Sequence, residues 1–575
     1  MQIQRLFRFP VKGLPAEEIT AAQVVRGGGL VGDRAVAFSN GSTEVTDHQW
    51  HKWSAFNALK NTTELQQWTL RSHPPHITVT APGAEPCTFD SGTASGREQA
   101  TNYFSAQLPA QGSFPRKVIA AEHGMFDSRL SGISLINPRT VAALAQASGT
   151  QIDPLRYRGN ILLEDLAAFE EFDLIGKVLR IGEAKIAITK SIERCSATSV
   201  NPATTEVDLN GPQLLATHFG HLHCGVYGTV LEPGELLAGA KIHIEDSDRR
   251  ALPLVPAKRT PRFLEVVHSR VVDSDVALLT LSDPHGWVES YDEPGTHLRI
   301  HLGADIWRNY TITAVSGDRL SIAVRQLGEA SQLMGQLAAG DRVLASGPHG
   351  TLTAATALQG HTTMLTAGIG ITAGLGLLRG ASHAPELAAL RVVHVERGAE
   401  GELFTELSAA ANSLNIPATI MHYDSSRARP SVQELTRVVT GSNNVIICGP
   451  EGFVSSSLQA CRGAGIDDSR IHREVFISPP KDFGSLLERY PEAQITCGSS
   501  GQRFNWRPEA GTLLESLESR GLQPQSSCRS GACGSCALLL KSGAVEYLLE
   551  PSARIPENQI LTCVAVPLQD LELEI

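Results

Sequence analysis

Four cysteines near the C-terminus constrain this chain more than any other feature of its sequence. Cys528, Cys533, Cys536 and Cys563 follow the spacing C-x4-C-x2-C, with the fourth cysteine further along. This is the plant-type spacing for a 2Fe-2S cluster, in which each iron takes two thiolates besides its bridging sulfides. A structural zinc site is the alternative, and it usually shows two C-x2-C pairs instead. The spacing therefore predicts a cluster with these four cysteines as its metal ligands.

Length and composition limit the class of protein. At about 100–200 residues per domain, 575 residues predict several domains. Hydrophobic residues make up 42% and charged residues 19% of the chain, which excludes long-range disorder. The 49 basic and 60 acidic residues give a net charge of −11 without blocks of one sign. Because nucleic-acid binding needs a basic face, we expect no nucleic-acid partner.

The sequence favours a cytoplasmic protein without a membrane segment. Met1–Gly13 carries Arg5 and Arg8 but no apolar core of signal-peptide length. The apolar stretch Met364–Leu378 is too short to span a bilayer and contains four glycines. Ten cysteines are too few for a disulfide-dense secreted scaffold of this length. We therefore expect thiolates that persist as metal ligands.

Two segments without sustained periodicity divide the chain. Glu245–Pro261 is rich in charge and proline. Ser478–Tyr490 contains two consecutive prolines, Pro479 and Pro480, directly after its first residue. The first block is predicted to be mostly β with short helices such as Thr140–Ala147. The second block begins with strands and then, after His361, alternates strands with helices, which is typical of a β-barrel followed by a parallel α/β layer. The expected fold class is multidomain and mixed α/β with β-rich portions.

Two motifs in the second block indicate a flavin. Arg308, Tyr310 and Thr311 form an R-x-Y-[ST] pattern. In this pattern the tyrosine can pack on the isoalloxazine, the hydroxyl can reach its N5 and the arginine can meet a phosphate. Gly328 and Ser331 lie at a predicted helix start, whose amides can point at phosphate. The alternative is a surface strand and an ordinary helix cap.

A third motif indicates a nicotinamide dinucleotide. Gly368, Gly370 and Thr372 lie between an apolar strand and a helix, where glycines permit close approach of a pyrophosphate. Glu396 follows the next strand and can bind a ribose hydroxyl, which favours NADH. Arg397 beside it can receive a 2′-phosphate instead, so the choice between NADH and NADPH stays open.

In this order the motifs resemble those of the ferredoxin–NADP reductase superfamily. The segments that carry the resemblance are Pro294-Gly295, Arg308–Thr311, Gly347-Pro348, Gly368–Thr372 and Cys448-Gly449-Pro450. The resemblance implies that the Cys448–Pro450 segment lies beside the nicotinamide and that Glu474 and Phe476 lie near the flavin. One departure is Ala373, where the family usually has proline.

The last block resembles the β-grasp ferredoxin family from Gln494 onward. The segments that carry this resemblance are Phe504–Trp506, Gly511–Glu515, Ser527–Cys536 and Leu561–Pro567. A ferredoxin domain after a reductase is similar to the arrangement in phthalate dioxygenase reductase and its relatives, which often use FMN, so FAD versus FMN stays open. A flavin is needed in such a chain because nicotinamide gives two electrons at once, whereas the cluster takes one.

Cys195 is the candidate reactive residue of the first block. It follows Glu193 and Arg194 in a loop after a predicted strand. Arg194 is expected to favour its thiolate, which makes Cys195 a candidate metal ligand or reactive thiol. A buried cysteine that only fills space is the alternative.

Motifs around Cys195 resemble those of the MOSC family, related to the mitochondrial amidoxime-reducing component. They are Arg8–Gly13, Gly32–Arg34, Arg156–Ile161, Phe172–Gly176, Arg194–Thr198 and Asn201-Pro202. The resemblance implies that Cys195 coordinates molybdenum as the catalytic centre. It also implies that Lys12, Arg34, Arg158 and Asn160 hold the pterin and its phosphate.

A histidine cluster remains without an assigned role. It comprises His218, His221, His223 and Cys224. The spacing is not an established zinc spacing. The cluster is predicted either to supply protons or shape substrate entry near the molybdenum, or to be a plain surface loop.

Together, the resemblances predict five domains. They are an N-terminal MOSC β-barrel domain (1–120), a MOSC domain (121–246), a flavin-binding β-barrel (261–355), a NAD(P)-binding α/β domain (360–478) and a ferredoxin-type domain (491–575). The implied electron path runs from NAD(P)H through flavin and the cluster to molybdenum at Cys195. It predicts a self-contained reductase of N-hydroxylated small molecules. The alternatives are a reductase that feeds an external oxygenase, with the MOSC block as a docking module, and a carrier of sulfurated pterin.

Overall fold

The structure is a computed structural model that describes residues 1–121, 123–127, 132–245, 252, 260–273, 275–283, 295–304, 306–349, 352–474, 489–498, 501–518, 522, 524, 531, 534, 536–548, 551 and 555–575. The chain divides into two compact units. One unit joins Met1–Ala257 to Asp482–Ile575, and the other is Lys258–Lys481. The predicted linkers 245–261 and 478–490 lie almost entirely outside the described residues.

The first block is built on an eight-stranded mixed sheet. Its strands and those beside it are β1 (Gln2–Arg8), β2 (Glu17–Ile19), β3 (Ala21–Val24), β4 (Val36–Phe38), β5 (Thr69–His73), β6 (His76–Thr80), β7 (Cys87–Asp90), β8 (Val118–Ala120), β9 (Ile133–Ile136), β10 (Ile161–Glu164), β11 (Val178–Ile181), β12 (Ala184–Glu193), β13 (His223–Glu232), β14 (Gly234–Leu237) and β15 (His243–Glu245). The main sheet has the order β15-β11-β12-β13-β9-β10-β1-β2. The small sheets are β3 with β14, β4 with β8, and β5-β6-β7.

Three helices of the first block are α1 (Ala94–Gln107), α2 (Pro138–Ser148) and α3 (Gly211–Phe219). Helix α2 begins where the Asn137 side chain accepts the Arg139 amide at 3.0 Å, with proline in the first turn. It ends at Gly149, whose φ of +65° is the left-handed conformation that suits glycine. The predicted helix Thr140–Ala147 is therefore confirmed.

The second unit begins with a closed antiparallel barrel. Its strands are β16 (Arg262–Val272), β17 (Val276–Ser282), β18 (His297–Gly303), β19 (Ile306–Ser316), β20 (Arg319–Arg325) and β21 (Arg342–His349), in the order β16-β17-β20-β19-β18-β21. A short helix, α4 (Glu329–Gly335), follows β20. The predicted barrel is confirmed. The segment Arg308–Thr311 lies inside the long strand β19.

A parallel α/β layer follows the barrel. Its elements are α5 (Ala354–Ala357), β22 (Gly360–Ala367), α6 (Ile371–Arg379), β23 (Leu387–Glu396), α7 (Glu402–Ser413), β24 (Ala418–Asp424), α8 (Val432–Val439), β25 (Asn444–Cys448), α9 (Glu451–Gly463) and β26 (Ile471–Glu474). The strand order is β24-β23-β22-β25-β26, and every pairing is parallel. The carboxyl ends of the strands therefore meet at one edge, where open α/β sheets bind ligands.

The apolar stretch 364–378 is accounted for by this layer. It comprises the end of β22, a tight turn and most of α6. No helix in the described part of the chain is both long enough and apolar enough to cross a membrane.

The last block forms a second mixed sheet. Its elements are β27 (Ala493–Cys497), β28 (Arg503–Trp506), α10 (Leu513–Glu518), β29 (Ala537–Ser542), β30 (Val545–Tyr547), β31 (Gln559–Leu561), β32 (Ala565–Pro567) and β33 (Leu571–Glu574). The sheet has the order β28-β27-β33-β29-β31, with β30 and β32 paired beside it. Trp506 of the edge strand β28 is fully buried in the core of this block, and its indole N–H donates to the Gly511 carbonyl at 2.9 Å.

Candidate functional site

A buried lysine marks the cationic site of the first block. Lys12 is only 6% exposed, and its ammonium donates to the Met125 carbonyl at 2.9 Å and pairs with Asp127. Burial lowers the pKa of Lys12, and Asp127 only partly opposes this. Burial alone would raise the pKa of Asp127, but Lys12 and Arg34 bring it down to about 2. The sequence reasoning missed Asp127, for which no motif gave a signal.

Two arginines complete the cationic site. Arg34 and Arg158 stack on the Phe9 ring, with guanidinium carbons 4.7 and 4.4 Å from its centroid. Both have the left-handed backbone, with φ of +47° and +52°. Arg158 also donates to the Leu14 carbonyl at 2.8 Å. Burial, together with the neighbouring Arg34, lowers the pKa of Arg158 to about 9.

The charges of this site do not balance. Asp127 pairs with Lys12 and Asp33 pairs with Arg34. Arg158 forms no ion pair with any carboxylate in the described ranges. Arg158 is half-buried, and a cation withdrawn from water without a carboxylate partner is costly unless a ligand supplies negative charge. The site therefore fits an anionic group such as a pterin phosphate.

Asn160 has a different environment from the three cations. It is 1% exposed, and its carbonyl oxygen accepts from the Ser134 amide at 3.1 Å and the Ser134 hydroxyl at 2.9 Å. Its amide group donates to the Phe7 carbonyl at 3.2 Å. These bonds tie β1 to β9. A contact between Asn160 and the pterin stays a prediction, and its observed contacts serve the sheet.

Cys195 lies close to the cationic site. It caps a one-turn 3₁₀ helix, Ser196–Ser199, and its carbonyl accepts from the Thr198 amide at 3.1 Å and hydroxyl at 3.0 Å. Burial raises the pKa of the Cys195 thiol, while Lys60 and Arg194 act in the opposite direction. The thiol also interacts electrostatically with Arg158. The structure thus brings Cys195 together with the predicted cations.

Arg194 does not activate Cys195 as expected. Its guanidinium donates to the Cys224 carbonyl through Nε at 2.7 Å and again through a terminal nitrogen, and to the Tyr157 carbonyl at 2.9 Å. Its positive charge favours the Cys195 thiolate, but burial of the thiol outweighs it. The prediction of a favoured thiolate is therefore wrong, because burial raises the pKa of the thiol by more than Arg194 lowers it.

A cavity of about 150 Å³ adjoins this site. Its walls include Phe9, Leu59, Arg158, Ala197 and Val200. These residues come from the N-terminal part of the block and from the segments around Cys195. The cavity is small, with apolar walls and a polar side formed by Gln66, Arg156 and Arg158.

The histidine cluster is part of the fold and not a surface loop. Its members, His218, His221, His223 and Cys224, lie in α3, in β13 or in the turn between them. The His221 ring is buried with its centroid 5.4 Å from that of Phe169 and 5.8 Å from that of Phe172. His223 meets the Ser191 hydroxyl at 2.8 Å, and burial lowers its pKa to about 3. Across the described residues, no group of three metal-ligating side chains could hold a metal ion.

The predicted flavin residues lie on the barrel strand β19. The hydroxyls of Tyr310 and Thr311 are buried and have no hydrogen-bond partner among the described residues. Burial raises the pKa of Tyr310 to about 12, so its phenol is a neutral donor. Arg308 donates to the Trp307 carbonyl at 2.7 Å. Because buried hydroxyls are usually hydrogen-bonded, the two side chains fit a polar ligand such as a flavin ring.

Gly328 and Ser331 form a closed helix cap. The Ser331 hydroxyl accepts from the Leu327 amide at 3.0 Å and the Gly328 amide at 2.9 Å. These two amides already have a protein acceptor, so they are less available to phosphate than expected. Phosphate binding here stays a prediction.

The nucleotide motif is a tight turn at the carboxyl edge of the parallel sheet. Gly368 has φ of +53°, and a Cβ on Gly370 would lie 2.4 Å from the Cys448 carbonyl oxygen. Only glycine fits there, because β22 and β25 end side by side. Thr372 fastens the turn by donating to a backbone carbonyl at 2.9 Å. Cys448 is fully buried and leads through Gly449-Pro450 into α9, so these predicted residues do converge.

Only part of the predicted cluster site is described. Cys528 and Cys533 lie outside the described residues, as does Phe476 of the predicted flavin site. Cys536 and Cys563 are both buried, and the Gly531 amide donates to the Cys563 sulfur at 3.3 Å. Backbone amides that point at thiolate sulfur are a feature of iron–sulfur sites, so these residues fit the cluster.

Two family models match the chain. One describes the MOSC domain and matches residues 127–243. The other describes a 2Fe-2S iron-sulfur cluster binding domain and matches residues 495–568. The chain therefore contains both domains, as its motifs predicted.

Curated relatives match about half of the chain. The ferredoxin reductase component of 3-ketosteroid-9-alpha-monooxygenase from Mycolicibacterium smegmatis is 28% identical over 341 residues, or 53% of this chain and 95% of the relative. The NADH oxidoreductase HCR of Escherichia coli is 24% identical over 335 residues, or 56% of this chain and 99% of the relative. Among solved structures, phthalate dioxygenase reductase covers 55% of this chain and 98% of its own, with 23% identity and a TM-score of 0.31.

These matches and the sites above define the class of protein. The chain is an electron-transfer oxidoreductase that combines a MOSC domain, a reductase module of the ferredoxin–NADP reductase type and a 2Fe-2S domain.

Proposed function

We propose that this protein is a self-contained molybdenum-dependent reductase of N-hydroxylated compounds. Electrons would come from NAD(P)H and pass through a flavin and the 2Fe-2S cluster to a molybdenum cofactor in the MOSC domain. The observation that carries the proposal is the unbalanced cationic site beside Cys195, in a chain that also holds a reductase module. The grouping of the 2Fe-2S segment with the MOSC block in one compact unit also supports it.

The chain's own residues would hold the molybdenum cofactor by charge and by sulfur. Lys12, Arg34 and Arg158 would bind the pterin phosphate, since buried cations form strong charge-assisted hydrogen bonds. The Cys195 thiolate would ligate the metal. When bound, the flavin would accept two electrons and release them singly, the cluster would carry one electron at a time, and molybdenum would supply the chemistry that removes oxygen.

In the reductase module, buried hydroxyls and glycines would do the binding. Tyr310 and Thr311 would offer their buried hydroxyls to the flavin ring. The Gly368–Thr372 turn would admit the dinucleotide pyrophosphate, because it carries no side chain at its closest approach. Buried Cys448 would then form the floor beside the nicotinamide.

The overall reaction balances with two electrons and two protons. An N-hydroxylamine, R–NHOH, takes both and gives the amine R–NH2 and water. One NAD(P)H supplies the two electrons and one proton, and solvent supplies the other proton. The 150 Å³ cavity beside Arg158 is a candidate entrance for a small, largely apolar substrate.

The test uses full-length protein with N-phenylhydroxylamine, and NADH and NADPH in separate assays. We expect aniline formation, with about one molybdenum and about two irons per chain by elemental analysis. Cys195→Ala should lose aniline formation at least about 100-fold, while ferricyanide reduction by the nucleotide persists. Cys87→Ala, another cysteine of the first block, is the matched control and should behave like the wild type. Full aniline formation by Cys195→Ala would contradict the molybdenum assignment.

A second candidate function is a reductase that serves a separate oxygenase. It is favoured by the names of two curated relatives, one a ferredoxin reductase component of a monooxygenase and the other a reductase subunit of a dioxygenase. In this case the MOSC block would be a docking or cofactor-carrier module. Two irons without molybdenum, and no aniline from N-phenylhydroxylamine, would support this candidate over the first.

A further inference from the structure

The cavity beside Arg158 is apolar except on one side. Four separate segments of the first block form its walls, and the apolar lining includes Phe9, Ala16, Leu59, Leu155 and Val200. The polar side consists of Gln66, Arg156 and Arg158. Such a cavity fits a compound that is apolar over most of its surface and polar at one end.

The size of the cavity limits what it can hold. Its volume is about 150 Å³. A cavity of about this volume takes one molecule of the size of benzene, whereas pockets for drug-sized ligands measure about 300–1,000 Å³. In the described part of the chain, neither Lys12 nor Arg34 is among the residues that line it. The cavity is therefore distinct from the predicted pterin phosphate site, although Arg158 borders both.

Arg156 is buried on the polar side with one nitrogen unused. Its side chain is only 2% exposed, and its terminal nitrogens lie 2.7 and 2.8 Å from the Asp208 carboxylate oxygens. One of them also donates to the Ser199 carbonyl at 3.1 Å. The Arg156 Nε is buried and has no hydrogen-bond partner among the described residues. Because a buried N–H without an acceptor is costly, this position suits a ligand that brings an acceptor.

Arg158 adds further donors and a positive charge. Among the described residues, it donates to the Leu14 carbonyl at 2.8 Å and forms no ion pair with a carboxylate. Since a guanidinium has several N–H groups, Arg158 keeps donors for a second acceptor besides the pterin phosphate. The polar side of the cavity thus offers N–H donors and positive charge, which a carboxylate matches.

The cavity reaches the loop of the predicted molybdenum ligand. Ala197 lines the cavity and lies in the one-turn helix Ser196–Ser199, which Cys195 caps. The backbone of this turn is fastened by the Thr198 amide, which donates to the Cys195 carbonyl at 3.1 Å. A small molecule in the cavity would therefore lie against the same turn of chain that carries Cys195.

We infer that this cavity binds a substrate by its carboxylate, and that single-ring N-hydroxylated carboxylic acids are substrates of this protein. The inference rests on the proposed function. The ring would contact the apolar walls, and the carboxylate would accept hydrogen bonds from Arg156 Nε and from Arg158. In the reaction the N–O bond breaks, NAD(P)H supplies two electrons and one proton, solvent supplies the other proton, and the products are the amine and water. The carboxylate is unchanged, so Arg156 is a specificity-determining residue.

The first experiment measures binding of 4-aminobenzoate, the expected product of such a substrate, to full-length protein by calorimetry. Aniline has the same ring and amine without the carboxylate and is the comparison ligand. We expect 4-aminobenzoate to bind at least about tenfold more tightly than aniline, since a hydrogen bond to a charged group changes affinity about 10- to 100-fold. Neither ligand has an N–O bond, so this measurement does not depend on turnover.

Arg156→Lys tests the unused nitrogen. Lysine keeps a positive charge opposite Asp208 but has no Nε donor of this geometry. The substitution should weaken binding of 4-aminobenzoate about threefold to tenfold and leave binding of aniline unchanged. Arg139→Lys, at an exposed position of α2, is the matched control and should bind both ligands like the wild type.

Ala16→Phe tests the cavity itself and carries the test if Arg156→Lys does not fold. Ala16 lines the cavity and is half-buried, so a phenylalanine ring there would occupy the space of the ligand. Binding of both ligands should weaken about tenfold or more, with molybdenum content unchanged. Ala21→Phe, at an exposed position of β3, is the control.

Turnover is then measured with 4-(hydroxyamino)benzoate and N-phenylhydroxylamine. We expect the KM for the carboxylate substrate to be about tenfold lower at a similar kcat, and Arg156→Lys should raise this KM alone.

The outcomes separate this inference from the proposed function. Equal affinity of the wild type for 4-aminobenzoate and aniline, or unchanged binding in both Arg156→Lys and Ala16→Phe, would overturn the inference, while reduction of N-phenylhydroxylamine would still support the proposed function. Loss of molybdenum from Ala16→Phe would also overturn it, because the cavity would then belong to the cofactor. Tight binding of 4-aminobenzoate without reduction of either substrate would support the carboxylate site and overturn the proposed function.

Discussion

The cationic site of the first block and the carboxyl edge of the parallel sheet carry charges of opposite sign, and the protein holds these charges by different contacts. In the first block, Lys12, Arg34 and Arg158 are crowded together, and Arg158 has no carboxylate partner in the described ranges. At the carboxyl edge of the sheet, the Glu396 carboxylate is held by a histidine and a backbone amide. Among the described residues, the first region has surplus positive charge, whereas the second presents carboxylates.

The difference shows how the partners of a charge indicate its ligand. A guanidinium whose three nitrogens all donate to backbone carbonyls, such as that of Arg194, serves the fold. A charge that is held in place but left uncompensated is available to a ligand of opposite sign or to a hydroxyl donor. By this criterion Arg158 suits an anionic cofactor, and Glu396 suits an uncharged ribose.

Reversing the charge of Arg158 should have the largest effect on cofactor binding at the cationic site. Arg158→Glu puts a carboxylate where the site has surplus positive charge, so molybdenum content should fall about 100-fold or more. Iron content and ferricyanide reduction should persist, because the reductase module is untouched. The control is Arg139→Glu, an exposed arginine in the first turn of α2, where a carboxylate is favourable. Normal molybdenum content in Arg158→Glu would show that the cationic site does not hold the cofactor.

Arg194→Lys tests whether Arg194, next to Cys195, stabilises the fold or binds the cofactor. Lysine keeps the charge but cannot reproduce the fork of hydrogen bonds to the Cys224 and Tyr157 carbonyls, so unfolding free energy should fall by about 2–4 kcal/mol. Urea unfolding measures this, with exposed Arg180→Lys as the control. Unchanged stability with lost molybdenum would assign Arg194 to the ligand instead.

The pH dependence of stability tests the effect of a buried histidine, His223, that lies near the cation of Arg194. Burial and Arg194 lower the pKa of His223 to about 3, against an ordinary value of 6.5. As pH falls below about 6.5, the unfolded chain takes up a proton that the folded chain does not, so stability is lost.

The test of this effect is His223→Gln. It should reduce the slope of unfolding free energy against pH, between about pH 6.5 and 5, by up to about 1.4 kcal/mol per pH unit. Urea unfolding at several pH values measures the slope, and His243→Gln at an exposed position is the control. An unchanged slope would mean that His223 takes its proton in the folded state.

Of these substitutions, Asp127→Asn should have the smallest effect on molybdenum binding and on stability. Its side chain pairs with Lys12 but is 62% exposed, so solvent reduces the contribution of this pair to stability. Removing the charge should increase the surplus of cations and slow molybdenum loss on dilution by about threefold, with a stability change below about 1 kcal/mol. Glu98→Gln on the exposed face of α1 is the control. Faster molybdenum loss would show that Asp127 is needed to orient Lys12.

Elements with strong local signals were predictable from the sequence. The strand Asn444–Cys448 has the bounds that its apolar run indicates, and α2 follows from Asn137, Pro138 and Gly149. The glycine turn Gly368–Gly370 was also predictable, because its glycines lie between an apolar strand and a helix. In each case residues close together in sequence decide the local structure.

Long-range contacts were not predictable in the same way. The sequence places Arg194 next to Cys195, but its guanidinium is taken up by carbonyls of Cys224 and Tyr157. The histidines after α3 looked like loop residues, yet His221 is buried because Phe169 and Phe172 fold against it from another segment. No local pattern reports such partners.

By itself, the sequence determined which chemical groups this protein possesses: cysteines spaced for a cluster, a glycine turn for a dinucleotide, and the motifs of a MOSC domain. The tertiary structure alone decided how those groups are charged and held. Among the described residues, Arg158 has no carboxylate within ion-pair distance, Asn160 is hydrogen-bonded within the sheet, and Glu396 is held by His422 through one oxygen. The physical reason is that burial and hydrogen-bond partners set the state of a polar group, and both come from residues distant in the chain.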